Sequence, residues 1–137
     1  GVSPKIANFA MPLGATVNMN GTALYEGVAV AFLIQMFAGL DDVQTSLSGV
    51  NMLLISITAV LAAVGAAGVP SSGLVTMALV ATAVHLPPYY IGIIFTVDAL
   101  LDRLRTVVNV FGDAVGAVIV DRIEGPRLAR AEQGAVQ

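Results

Sequence analysis

Five polar side chains limit what this chain can fold into. Asp98, Asp102, Arg105, Asn109 and Asp113 recur at steps of four, three, four and four within VDALLDRLRTVVNVFGD. At roughly 100° per residue they fall within about 80° of one another. A helix over this stretch therefore carries one polar ribbon along about four turns. Its other faces hold Leu, Val, Ala and Phe. On a soluble helix such a ribbon is the solvated face, provided the rest of the chain can also cover itself with polar groups.

The rest of the chain cannot. Of its 137 residues 57% are hydrophobic and only 11% are charged, where a soluble domain has about 25%. A short chain also has proportionally more exterior to cover. The expectation is an all-α membrane protein, with a soluble apolar oligomer as the alternative. Six Lys and Arg against nine Asp and Glu, a net charge of -3, leave no basic patch for nucleic acid. The absence of Cys excludes disulfides and thiolate metal sites, and one His, His85, cannot build a histidine metal centre. His85 is most simply a surface residue. The chain opens at Gly1 with no charged region leading into an apolar one, so no signal peptide is visible. That start reads as a piece of a longer chain.

Three apolar segments follow one another, and the first two are broken. The first, about 6–39, is long enough to span a bilayer, which takes about 20 residues. Pro12, Gly14 and the polar run from Asn18 to Thr22 interrupt it. An unwound stretch at mid-membrane is tolerated only where its backbone lines a cavity or is buried in protein. A soluble helix–turn–helix, with Asn-Gly as the turn, is the competing reading. Residues 40–48 are polar and acidic, a loop. The second segment, 49–84, is broken from Gly65 to Gly73, which leaves arms too short to cross alone. It reads as a re-entrant helical hairpin or as one broken span.

Charge placement decides between these two. Lys5 precedes the first segment, Arg122, Arg127 and Arg130 follow the last, and the 40–48 loop has two Asp and no Lys or Arg. By the positive-inside rule both ends of the segment are cytoplasmic and the acidic loop lies outside. The first and last spans already give an even number of crossings, so the middle segment returns to the side it entered from. His85 to Tyr90 then forms an outer connection, with Tyr89 and Tyr90 near the interface. The last helix covers about 90–123, Gly125-Pro126 ends it, and 125–137 is a polar, mobile cytoplasmic tail.

Inside a membrane the ribbon must face protein or a water-filled cavity, because a charge in hydrocarbon costs several kcal/mol. It can pair with itself, Asp98 or Asp102 with Arg105, as a purely structural device. It can also bind. Arg105 presents a planar fork suited to a carboxylate, and Asp102, one turn away, can accept from an ammonium group. Asn109 and Asp113 offer oxygens, the ligands that hard cations prefer. Two broken elements around such a site point to a secondary transporter.

Three stretches carry a family resemblance. MPLGATVNMNGTALYE resembles the NMDGT-containing seventh helix of the dicarboxylate/amino acid:cation symporters, the glutamate/aspartate transporter family. GAAGVPSSGLVTM is similar to the tip of their second helical hairpin, and VDALLDRLRTVVNVFGD to their eighth helix. The resemblance covers Ser3 to Glu124 and corresponds to the C-terminal third or so of a transporter. It implies residues 1–124 as the C-terminal part of a transport domain: a broken transmembrane helix, a re-entrant hairpin and a final polar-striped transmembrane helix. It implies a multi-pass protein of the plasma or inner membrane, and a homotrimer for the full-length member.

The resemblance also implies roles. Arg105 would bind the substrate's side-chain carboxylate and Asp102 its amino group. Thr22 and Asn109 would contact substrate, with Gly68 and Val69 closing over it. Sodium would be held by Gly14, Asn18, Asn109 and Asp113 at one site. At another it would be held by Thr16 with the carbonyls of Ala63, Val64 and Ala66. Met19 would lie between the two sites, and Asp98 would act from behind the substrate residues. Glu26 resembles the proton-carrying glutamate of proton-coupled members. Burial in an apolar helix disfavours the charged form, as a carrier requires, and a structural hydrogen bond or an Arg pairing is the alternative. Asn20 departs from the family's NMDGT acid, so a third sodium site loses a charge. The expected function is a symporter of glutamate or aspartate, driven by sodium with or without protons. The alternative is an inactive truncated fragment or a structural membrane module.

Overall fold

Pro4 stands in the first turn of helix α1 (Pro4–Val17), where its missing N–H removes nothing from the hydrogen-bond ladder. A computed structural model describes residues 1–66 and 71–134. It places four more α-helices after the first: α2 (Asn20–Met36), α3 (Gly49–Val64), α4 (Ser72–Ala83) and α5 (Ile91–Gly134), with a 3-10 turn at Pro88–Tyr90. No strand occurs among the described residues. The chain is all-α.

The first segment breaks more sharply than its sequence suggests. Pro12 and Gly14 lie inside α1. Only Asn18 (φ -98°, ψ 69°) and Met19 (φ -96°, ψ 45°) leave helical geometry, and Gly21 and Thr22 already belong to α2. α1 packs against α5, α2 packs against α3, α4 and α5, and α3 packs against α4. Ser48 caps α3 by accepting from the Asn51 N–H at 3.2 Å. α4 ends with the His85 N–H donating to the Thr82 carbonyl and Leu86 to that of Ala81, with His85 left-handed at φ 58°. This is a Schellman closure with histidine where glycine is usual.

The last helix departs from expectation at its end. Gly125-Pro126 does not stop it: α5 continues through Pro126 to Gly134 for 44 residues in all. Proline forfeits one intrahelical bond and crowds the preceding turn. Around it Arg127 pairs with Glu124 at 2.9 Å, one turn back across the proline. The stretch 127–134 is thus a continuation of the helix rather than a separate tail.

One apolar core joins α2, α3, α4 and the start of α5. Leu33, Ile34, Met77, Val80, Val84 and Leu86 are among its most buried members. At the same end the Tyr90 hydroxyl donates to Asp42 at 2.8 Å and its ring stacks on Phe37. That clasp joins the 40–48 loop to the connection before α5.

The exterior is inverted relative to a water-soluble bundle. Asp98, Arg105 and Asp113 are 2%, 6% and 6% exposed, whereas Phe9, Leu100 and Phe111 are 68%, 66% and 70% exposed. Exposed apolar side chains run along every α-helix. Among the described residues no helix is both long and apolar enough to cross a membrane. α2 and α3 have 17 and 16 residues, against the roughly 20 a span requires. α5 is long enough but carries Asp98, Asp102, Arg103, Arg105 and Asp113.

Candidate functional site

The polar ribbon of α5 faces inward against α1, α2 and α4. It divides into two clusters, one around Arg105 and one around Asp113.

Arg105 is the charge centre of the first. Its Nη2 donates to the carboxylate of Asp102, one turn back on the same helix. Its Nη1 lies 3.7 Å from Asp98 Oδ1, two turns back. Asp98 also accepts from the Tyr25 hydroxyl at 2.9 Å, and the guanidinium sits 4.7 Å from the centre of the Tyr25 ring. Two carboxylates and an aromatic face therefore surround one cation in a site nearly closed to solvent. At such depth removing one partner leaves an uncompensated charge. Among the described residues Arg105 Nη1 and Asp98 Oδ2 have no hydrogen-bond partner. α4 reaches this cluster through Gly73. A Cβ there would lie 2.9 Å from Arg105 Cζ, so the missing side chain lets α4 come this close.

Glu26 lies beside the same cluster. It is fully buried on α2, and its Oε1 accepts from the Thr76 hydroxyl of α4. Its Oε2 has no partner among the described residues. Arg105 is close enough to act on it electrostatically.

The second cluster holds the break between α1 and α2 against α5. Asn109 Oδ1 accepts from the Gly21 N–H at 2.7 Å, while its Nδ2 donates to Thr22 Oγ1 at 3.2 Å and to Met19 Sδ at 3.3 Å. One turn further along, Asp113 Oδ1 accepts from Asn18 Nδ2 at 2.9 Å. Gly14 backs this carboxylate, since a Cβ there would stand 2.5 Å from Asp113 Oδ1. Asn20 is exposed, and its amide lies near Gly112 of α5. A carboxylate and an amide oxygen one turn apart beside an unwound break suit a hard monovalent cation better than a soft metal.

The remaining residues singled out from the sequence are spread more widely. Thr16 is exposed, and its hydroxyl donates to the Leu13 carbonyl of its own helix at 3.0 Å. Ala63 and Ala66 are buried, Val64 is exposed, and the Ala63 carbonyl accepts from the Ala66 N–H at 3.1 Å. Asn18, Met19, Ala63 and Val64 share the wall of a groove of about 620 Å³ between the break and α3, which Thr16 does not line. Gly68 and Val69 lie outside the described residues.

Two residues that sequence reasoning left without a role, Tyr25 and Thr76, are central to the geometry, and Gly73, expected only to supply backbone groups from the 65–73 break, joins them by packing on Arg105. A signal for Tyr25 was present, because it sits three residues after Thr22 on the face that meets α5. Thr76 and Gly73 gave none, since their partners lie on other helices.

Comparison with known proteins gives a consistent result. Residues 1–123 match the sodium:dicarboxylate symporter family. The chain is 48% identical to excitatory amino acid transporter 3 of Oryctolagus cuniculus over 131 residues, 96% of this chain and 24% of that protein. It is 51% identical to human excitatory amino acid transporter 2 over 120 residues, 88% of this chain and 20% of that protein. The chain thus spans no more than a quarter of the length of these relatives.

Proposed function

The chain belongs to the sodium:dicarboxylate symporter family, and from that premise we propose that it forms the C-terminal part of the transport unit of a secondary active symporter for glutamate or aspartate. Its relatives are membrane transporters, not enzymes. In this reading residues 1–124 belong to the transport domain and 125–137 extend into the cytoplasm. α1 and α2 are the halves of one broken transmembrane helix, α3 and α4 the arms of a re-entrant hairpin, and α5 the polar-striped final span. The exposed apolar faces of these helices meet lipid and the rest of a multi-pass, homotrimeric protein of the plasma or inner membrane. Both ends of the segment lie on the cytoplasmic side.

The observation that carries this reading is the burial of Arg105 one turn from Asn109, with Thr22 at the side of Asn109 and the Asn18 amide donating to the Asp113 carboxylate beyond. Arg105 takes the substrate's side-chain carboxylate through its fork. Asp102, released from Arg105, takes the ammonium group. Thr22 and Asn109 contact the substrate, and Gly68 and Val69 close over it. Gly14, Asn18, Asn109 and Asp113 hold one sodium. Thr16 with the Ala63, Val64 and Ala66 carbonyls holds a second, and Met19 lies between them. Glu26 carries a proton. Substrate and cations share the α2 break and α5, so each favours the closed hairpin, and that coupling links their fluxes. Transport follows by alternating access, with the hairpin as the outer gate.

The test is uptake of radiolabelled aspartate by the complete polypeptide that contains this chain, reconstituted in vesicles. An inward sodium gradient drives accumulation, and an inward proton gradient adds to it. Accumulation under neither gradient refutes the proposal. The second reading, a structural module or inactive fragment, draws on one observation: Arg105 is already paired within the chain by Asp98 and Asp102. It requires no uptake under either gradient.

A further inference from the structure

We propose that Thr76 is the positioning residue through which the second hairpin arm reads the protonation state of Glu26. This rests on the assignment of Glu26 as the proton carrier and adds the contact that couples it to the gate.

α3 and α4 carry no charged side chain. Neither helix contains an Asp, Glu, Lys, Arg, His or Tyr. The charge facing Glu26 from the helices packed on it comes from Arg105 of α5, whose own partners are Asp98 and Asp102, with Tyr25 alongside on α2. The hairpin arms therefore sense Glu26 only through a dipole. One dipole of α4 is in place for this: the Thr76 hydroxyl, buried, donating to Glu26 Oε1 across the α2–α4 interface.

A hydroxyl has one hydrogen to give and can also accept. The Thr76 oxygen lies 3.2 Å from the Ser72 carbonyl and 3.3 Å from that of Gly73, both in the first turn of its own helix. When Glu26 is charged, the Thr76 hydrogen goes to the carboxylate. When a proton from the outer medium binds Glu26, the new O–H donates to the Thr76 oxygen, and the Thr76 hydrogen turns to the Ser72 or Gly73 carbonyl. The same contact then docks α4 on α2 in both states, with the hydrogen bond reversed in direction. The acceptors it turns to sit next to Ser71, which is left-handed at φ 60°, and Gly73 is the residue packed on Arg105. Protonation of Glu26 is thus felt in the turn of α4 that packs on Arg105.

The experiment measures sodium-driven uptake of radiolabelled aspartate by the complete polypeptide in vesicles as external pH is varied. Three variants are compared: Thr76→Val, Thr76→Ser and Glu26→Gln. Thr76→Val preserves shape but removes the donor that favours the charged carboxylate, so the midpoint of the pH profile moves to higher pH by about one unit. Thr76→Ser keeps the parent midpoint. Adding Thr76→Val to Glu26→Gln changes the profile no further. Should the valine protein fail to insert, Thr76→Ala supplies the same readout. A parent-like midpoint in Thr76→Val, in a transporter whose pH response Glu26→Gln abolishes, overturns the role of Thr76 and leaves the proton assignment standing. An equal shift in Thr76→Ser also overturns it, because the methyl group would then be the cause. An unaltered profile in Glu26→Gln removes both assignments.

Discussion

Arg105→Cys is the substitution with the most to reveal, because the arginine is assigned two tasks whose losses read out differently. The guanidinium balances Asp98 and Asp102 and lies near Glu26, at 6% exposure. Removing one partner of a buried ion pair typically costs about 3–5 kcal/mol. Here the penalty is spread, because Asp98 keeps its hydrogen bond from Tyr25 and Asp102 is one-quarter exposed. Folding therefore suffers toward the low end of that range. The substrate's side-chain carboxylate has no such reserve. Losing a buried, charge-assisted fork costs about 3 kcal/mol or more, which corresponds to roughly a hundredfold fall in affinity or greater. Neutral amino acids carry no carboxylate there and lose nothing. Competition against radiolabelled aspartate, and direct uptake of radiolabelled serine, should show acidic uptake abolished and neutral uptake admitted. Arg105→Lys keeps the charge without the fork and should fall between. Aspartate affinity unchanged in a properly inserted Arg105→Cys protein refutes the substrate assignment.

Three further outcomes test other parts of the molecule. Asn20→Asp adds a carboxylate beside the break near Gly112; at about 1 kcal/mol of attraction for a nearby cation, half-saturation by sodium should fall about fivefold, and an unchanged sodium titration separates this residue from any cation site. Gly14→Ala places a methyl against Asp113, which Asn18 holds from the other side; the sodium concentration for half-maximal uptake should rise tenfold or more, whereas a parent-like value shows that Asp113 holds no cation at this place. His85→Gly relieves a left-handed histidine at the end of α4. Left-handed backbone costs a non-glycine residue about 1–2 kcal/mol, part of which glycine returns through its freer unfolded chain. The thermal unfolding midpoint in detergent should rise slightly, and a fall shows that the His85 side chain itself stabilises the closure.

The sequence by itself determined the class of the molecule and the line along which its chemistry lies. Helical spacing alone put Asp98, Asp102, Arg105, Asn109 and Asp113 on one face, and the scarcity of charge elsewhere turned that face inward. Both inferences are local or compositional, so they need no partner to be known. The break at Asn18 and Met19 was legible for the same reason: amides and a nearby glycine interrupt an apolar run wherever they fall. The helix through Pro126 was not, because proline weakens one bond without deciding whether its neighbours compensate.

Only the tertiary structure decided which residue meets which. Asp98 and Asp102 are both within reach of Arg105 on a bare helix, and the packing of Tyr25 from α2 engages Asp98 from the other side. Glu26 could have met any polar group or none. The crossing of α2 and α4 gave it Thr76, fifty residues away in the chain, and the missing side chain of Gly73 let that helix approach. Periodicity orders side chains around one helix, but the pairing of side chains on different helices depends on crossing angle and close approach, and those are set by the whole packed interior.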